Sequence, residues 1–146
     1  MKDSCLCGEV QFALNVDRIS MYQCQCEECR KQSGTASSCG TVVKEAKFNW
    51  LSGENSVRAW EKESGFSSHF CSHCGSSTPN KFRNEPFYWV PVGSLDCQNV
   101  VTTANLFTCE KANWSNVDSG TNPYDTKPTI EHLVQLLANE GTNNEV

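Results

Sequence analysis

Three shortages narrow the possibilities before any motif is read. Basic residues are outnumbered, with 12 Lys and Arg against 17 Asp and Glu, a net charge of −5 and a pI near 5.1. Nonspecific binding to nucleic acid or to an anionic membrane needs a basic face, so both drop out as partners. Long apolar runs are missing as well. Nothing approaches the length of a membrane span, and Met1-Lys2-Asp3-Ser4-Cys5-Leu6-Cys7-Gly8 lacks the apolar segment of a signal peptide. The expectation is a cytoplasmic chain without a membrane partner. Histidine is the third shortage: only His69, His73 and His132 are present, too few to supply many metal ligands. Hydrophobic residues make up 38% of the 146 residues and mean hydropathy is −0.50. That suits one domain with a modest core, of the kind that bound metal often staples.

Cysteine, by contrast, is abundant, at 10 residues. In a chain expected to stay in a reducing compartment, clustered cysteines point to metal or catalysis rather than to disulfides. Cys24, Cys26 and Cys29 form a C-x-C-x-x-C run. Cys5 and Cys7 form C-x-C-G, and Cys71 and Cys74 form C-x-x-C-G. A glycine after the last cysteine suits a knuckle that turns its amides toward sulfur and needs positive φ just beyond. Two plus two makes a closed four-thiolate site on Cys5, Cys7, Cys71 and Cys74. Three remain, and three thiolates leave a tetrahedral Zn²⁺ one ligand short, the signature of a site with an open position. The expected cofactor is two zinc ions, one structural and one open. Cys39, Cys97 and Cys109 read as small buried hydrophobes, the alternative being that one of them closes the three-thiolate site.

Period and punctuation give a mainly β chain. Val10, Phe12, Leu14 and Val16 alternate as in a half-buried strand. Glu27 to Ser33 reads as a short helical turn stopped by Gly34. Strands are expected at Cys39 to Val43 and Lys47 to Leu51, and a hairpin at Val57 to Lys62 and Phe66 to Phe70 across Glu63-Ser64-Gly65. Pro79 and Asn80 mark a turn. Phe87 to Val92 reads as a strand buried on both faces, with Pro91 at an edge or bulge. Val100 to Phe107 reads as the last strand, and 116–128 as a loop. Ile130, Leu133, Val134 and Leu137 fall at helical spacing, with Thr129 as N-cap and Gly141 past the end. The whole of 1–146 is expected to be one domain, its core spanning about 4–140 and residues 141–146 frayed.

The ordered set of motifs resembles the glutathione-dependent formaldehyde-activating enzyme family, also called the centromere-protein-V-like domain. The resemblance rests on Ser4-Cys5-Leu6-Cys7-Gly8-Glu9-Val10-Gln11-Phe12, Cys24 through Gly34, Phe70-Cys71-Ser72-His73-Cys74-Gly75, Val92-Gly93-Ser94-Leu95-Asp96, and the late pair Lys111 and Trp114. It implies a β-tent fold, small twisted antiparallel sheets around zinc knuckles, with a structural zinc on Cys5, Cys7, Cys71 and Cys74 and a second on Cys24, Cys26 and Cys29. It also implies a carbon–sulfur lyase that joins glutathione and formaldehyde into S-(hydroxymethyl)glutathione, or the reverse. Two positions depart from the family pattern: Gln25 and Asn105 stand where the family usually has His.

The residues give this enzyme reading a rationale. A three-thiolate zinc is soft and accepts a fourth sulfur, which makes Cys24, Cys26 and Cys29 the catalytic centre and a thiol such as glutathione the partner. Arg30 and Lys31 are placed to pair with the thiol's carboxylates, although a solvated charged turn is an equal reading. Two other functions compete. One is a non-catalytic zinc module for a protein partner; Trp50, Trp60, Trp89 and Trp114 would allow it, with buried core as their default. The other is a reductase of the methionine sulfoxide type, which needs a reactive cysteine outside the metal sites. Oligomeric state is not legible.

Overall fold

The computed structural model describes residues 2–82, 84–97, 99–116 and 121–137. Twelve regular elements follow in chain order: β1 Lys2–Ser4, β2 Gln11–Leu14, β3 Ile19–Cys24, α1 Glu27–Ser33, β4 Ser38–Lys44, β5 Phe48–Ser52, β6 Val57–Glu61, β7 Ser67–Cys71, β8 Asn80–Lys81, β9 Phe87–Pro91, β10 Val100–Leu106 and α2 Ile130–Leu137, with short 3₁₀ turns between. The strands form three small sheets, ordered β1-β2-β5, β10-β3-β4-β9-β8 and β6-β7. The expected mainly β architecture with a short helix near the C-terminus is what the chain adopts.

The five-stranded sheet separates two cores, and β9 shows how. Tyr88 and Val90 point to one side, into Phe12, Leu14, Ile19, Val43 and Phe48. Tyr88 stacks on Phe48 with centroids 4.0 Å apart. Phe87 and Trp89 point the other way, toward Cys24, Cys26, Val42, Ala104, Leu106, Leu133 and Leu137. The strand is thus covered on both faces as expected, although its three aromatics are half-buried. Pro91 ends it, opposite Gly40 and past the two residues that β8 pairs. The expected hairpin is present, and so is the helix of residues 130–137, where the His132 N–H bonds to the N-cap Thr129 Oγ1 at 3.2 Å. Leu133 and Leu137 are its buried residues. Gly141 and the tail 141–146 lie outside the described residues.

Several expectations need correction. The strand β3 is absent from the sequence reading because Ser20, Tyr22 and Gln23 break its apolar pattern; it nevertheless lies inside the largest sheet, between β10 and β4. Its partner β10 runs parallel to it, from Val100 beside Ile19 to Leu106 beside Cys24. Such pairing is possible because a long crossover joins the two strands. Trp60 and Trp114 are exposed rather than core, since Trp60 sits on a two-stranded sheet and Trp114 past the last strand. Cys109 is also exposed, while Cys39 and Cys97 are only half-buried. No helix among the described residues is long and apolar enough to cross a membrane.

Candidate metal centres and the cleft beside them

The four-cysteine cluster joins the two ends of the first half of the chain. Cys5 follows β1, Cys71 ends β7, and Cys7 and Cys74 sit on the turns that come after. Gly8 and Gly75 take positive φ, 84° and 82°. A Cβ at either would meet nothing, so conformation and not space demands glycine there. All four sulfurs lie within 4.8 Å of one another. Cys5 to Cys7 is 3.7 Å and Cys7 to Cys71 is 3.9 Å. A tetrahedron with Zn–S bonds of about 2.3 Å has edges of roughly 3.8 Å, so the donor set fits a four-coordinate ion. Backbone amides face the sulfurs as expected of knuckles: Val10 N–H donates to Cys5 at 3.3 Å and His73 N–H to Cys71 at 3.4 Å. Ser76 ties the turns together, its Oγ accepting from Leu6 N–H at 3.0 Å and lying 3.3 Å from Cys74 Sγ. That hydroxyl leads the contacts that draw the Cys74 thiol down to about 5.

The three-cysteine cluster is built from one short stretch. Cys24 ends β3, pinned in register between Leu106 of β10 and Ser38 of β4. Cys26 is the N-cap of α1, its sulfur accepting from Cys29 N–H at 3.3 Å. Gly34 closes the helix in the left-handed region, with φ of 72°. The three sulfurs again lie within 4.8 Å of one another. Cys24 and then Cys29 share hydrogen with Cys26, which holds Cys26 down to about 2. Cys24 is pushed up to about 12 by Cys26, and Cys29 is raised further by Cys24 and Cys26. The three thiols oppose one another's ionisation. A divalent cation at their centre would let all three ionise.

Among the described residues no fourth His, Cys, Asp or Glu joins this trio. Glu27 turns to Lys31 at 3.0 Å, and Glu28 to Lys62 at 2.8 Å. Cys39 lies on β4 across from Gln23, outside the cluster. Gln25 and Asn105 are both fully buried and meet each other, with Gln25 Nε2 donating to Asn105 Oδ1 at 3.5 Å. Asn105 in turn donates to Thr121 O at 2.9 Å. The two departures from the family pattern are therefore one place in the fold, an amide pair that carries no titratable proton.

Cys29 opens onto a cleft of about 380 Å³. Tyr22, Ser38 and Trp89 line it from the five-stranded sheet, Gln32 from α1, residues 66–69 with Ala59 and Glu61 from the β6–β7 hairpin, and Asn80, Lys81 and Phe82 beyond. The hairpin is fastened to α1. Glu28 Oε2 accepts from Lys62 Nζ at 2.8 Å and from Ser64 Oγ at 3.3 Å, and Gln32 Nε2 donates to Ser68 Oγ at 3.4 Å. The Trp89 indole donates to Tyr22 Oη at 2.7 Å. Burial raises the Tyr22 phenol above its ordinary range against the pull of that indole, with the cysteine sulfurs adding to the rise. Burial lowers the His69 imidazole, and its buried Nδ1 has no partner among the described residues.

Neither Arg30 nor Lys31 lines this cleft. Lys31 is exposed on Glu27, and Arg30 is half-buried with its Nε unpartnered. Tyr22, Trp89 and the hairpin wall are the features that sequence reasoning missed. One signal was available in Gly40, a glycine inside a strand, which marks a close approach. A Cβ at Gly40 would collide with Trp89 Nε1 and lie 3.1 Å from Tyr22 Cζ.

Small sheets carrying one cluster of four sulfurs and one of three beside a cleft give a cysteine-rich protein whose donor sets suit metal, with room for a small ligand. The family model described as glutathione-dependent formaldehyde-activating enzyme matches residues 1–110, and the chain belongs to that family. A crystal structure of a Rhodobacter sphaeroides protein is similar, with a TM-score of 0.52 and 22% identity over 66% of this chain and 88% of that one; it speaks to the fold alone. No curated protein matches the chain. Membership supports a glutathione-related role with metal at the cysteine clusters.

Proposed function

We propose that the protein is a zinc-dependent carbon–sulfur lyase that makes or breaks S-(hydroxymethyl)glutathione or a related thiol adduct. The observation that carries this reading is Cys29: it belongs to the three-sulfur cluster and also lines the cleft. Cys5, Cys7, Cys71 and Cys74 would hold a structural zinc, and Cys24, Cys26 and Cys29 a second with an open position. Zinc at the second site supplies a soft acid that keeps a thiol deprotonated near neutral pH. In the forming direction the thiolate sulfur attacks the carbonyl carbon. A C–S bond forms, the π pair moves to oxygen, and that oxygen takes a proton from solvent; cleavage is the reverse. The cleft raises the rate by holding both reactants together and limiting water.

Family membership supports glutathione as the thiol. Its carboxylates and ammonium call for charges of both signs, and the cleft offers Glu61 and Lys81, the latter paired with Glu45 at 3.1 Å. Those residues take the anchoring role expected of Arg30 and Lys31, which remain candidates only outside the cleft. The reductase reading is weaker, because Cys39, Cys97 and Cys109 do not line the cleft. The exposed Trp60 and Trp114 favour the partner-binding module as the second reading.

The test is glutathione titration of cobalt-substituted protein. Millimolar glutathione should change the sulfur-to-cobalt charge-transfer bands, and Cys26→Ser should abolish the change. An unaltered spectrum would reject thiol binding. A normal spectral response without faster formaldehyde exchange by NMR would reject the lyase and leave a thiol-binding protein.

A further inference from the structure

We infer that Tyr22 donates its phenol hydrogen to the substrate oxygen, the one on the carbon bonded to the thiol sulfur. The inference rests on the lyase reading and assigns a catalytic residue within it.

The first support is hydrogen-bond arithmetic. An indole N–H can only donate, whereas a phenol both donates and accepts. Trp89 Nε1 donates to Tyr22 Oη at 2.7 Å. That bond fills an acceptor position of the phenol oxygen and leaves its hydrogen to point elsewhere. Among the described residues that hydrogen has no acceptor. The second support is position. Tyr22, Trp89 and Cys29 line one cleft, and all three pack against the cluster that contains Cys24 and Cys26. A ligand with its sulfur beside Cys29 presents the neighbouring carbon and its oxygen to this wall.

The third support is that the wall is built from three adjacent strands. Tyr22 on β3 is in register with Gly40 on β4, and Trp89 lies on β9 beyond it. The missing side chain at Gly40 is what lets the indole and the phenol meet. Other polar groups in the cleft are less suited. The Gln32 amide is committed to Ser77 and Ser68. His69 has an Nδ1 without a partner among the described residues, but it stands on the hairpin wall, across the cleft from the sheet.

In C–S bond formation the carbonyl oxygen gains negative charge. A neutral O–H aimed at it stabilises that charge, and a solvent proton completes the hydroxyl, so Tyr22 keeps its own. The same bond holds the hydroxyl of the finished adduct.

The experiment compares two ligands on zinc-loaded protein by calorimetry: glutathione, and glutathione pre-equilibrated with excess formaldehyde, against a formaldehyde-only blank. Wild type should bind the adduct about threefold to tenfold more tightly, the worth of one hydrogen bond. Tyr22→Phe should bring the ratio to about one while glutathione alone binds within about twofold of wild type. The rate of formaldehyde exchange should fall on the order of a hundredfold. The Trp89 indole N–H resonance should move in Tyr22→Phe while the remaining amide spectrum stays in place, which shows that the fold survives. His69→Gln should leave the ligand ratio unchanged. A ratio preserved in Tyr22→Phe, or lost in His69→Gln instead, overturns the inference. If wild type binds no glutathione at all, the lyase reading fails first, and the inference falls with it.

Discussion

Replacing Cys71 by Ser should strongly destabilise the fold, whereas replacing Cys26 by Ser should not. Cys71 is fully buried, ends β7, and pairs across 64 residues with Cys7 at 3.9 Å. Structural zinc contributes about 10–16 kcal/mol, so one ligand of four carries roughly 3 kcal/mol. The serine hydroxyl, buried beside three thiolates, adds about 1–3 kcal/mol of desolvation. Together these reach about 4–6 kcal/mol, a large part of the roughly 5–15 kcal/mol that stabilises a domain. At roughly 2–4 °C per kcal/mol for a chain of this size, the midpoint should fall by about 10–20 °C. Cys26 differs in two respects. Its cluster lies within one short stretch, so losing the metal there frees no long-range link. As the N-cap of α1 it accepts from Cys29 N–H, and serine is among the best residues for that post. Cys26→Ser should therefore melt within about 5 °C of wild type and retain one zinc per chain. Circular dichroism melts with metal analysis provide the assay. Equal melting of the two variants would refute the division into a closed structural site and an open one.

Three further outcomes are expected. Gly40→Ala drives a methyl into the Trp89 indole; at about 1–3 kcal/mol for overpacking it should lower the melting midpoint by several degrees and alter tryptophan fluorescence, and an unchanged melt would contradict the close contact. His69 has a folded-state pKa below its ordinary 6.5, so the unfolded chain takes the proton first on acidification. Its stabilising effect is complete above pH 6.5 and declines as pH falls through the lowered value; His69→Gln should show a shallower loss of stability below pH 6.5, and identical slopes would refute that account. Of 10 cysteines, the seven in the two clusters should be protected in zinc-loaded protein, leaving Cys39, Cys97 and Cys109. Cys109, being exposed, should react first with a thiol reagent, and more than three fast thiols would count against two filled centres.

What sequence could reveal here was set by range. The cysteine clusters, α1 with its Gly34 stop, the hairpin and α2 with its Thr129 cap all follow from spacings of a few residues, and each stands where it was read. The strand β3 did not reveal itself, because Ser20, Tyr22 and Gln23 interrupt its apolar residues and its burial does not alternate. The cleft was invisible for a related reason. Its walls come from β3, β9, α1 and the β6–β7 hairpin, and only the register of Tyr22, Gly40 and Trp89 across three strands brings the phenol to the indole. The anchoring role given to Arg30 and Lys31 came from sequence proximity to Cys29, but a helix sends successive side chains around its axis, and theirs do not line the cleft.

The parallel pairing of β3 with β10 also bears on how the molecule is made. Ile19 meets Val100 and Cys24 meets Leu106, so the five-stranded sheet cannot be completed until the chain has been made as far as Leu106. Pairing at that separation slows folding, since the loop must close before any contact rewards it. The two centres stand at opposite ends of this sequence of events. The Cys24–Cys29 loop has all its sulfurs as soon as Cys29 has emerged, whereas the four-cysteine knot is assembled only after Cys74. During synthesis the three-cysteine stretch is therefore complete before the four-cysteine cluster.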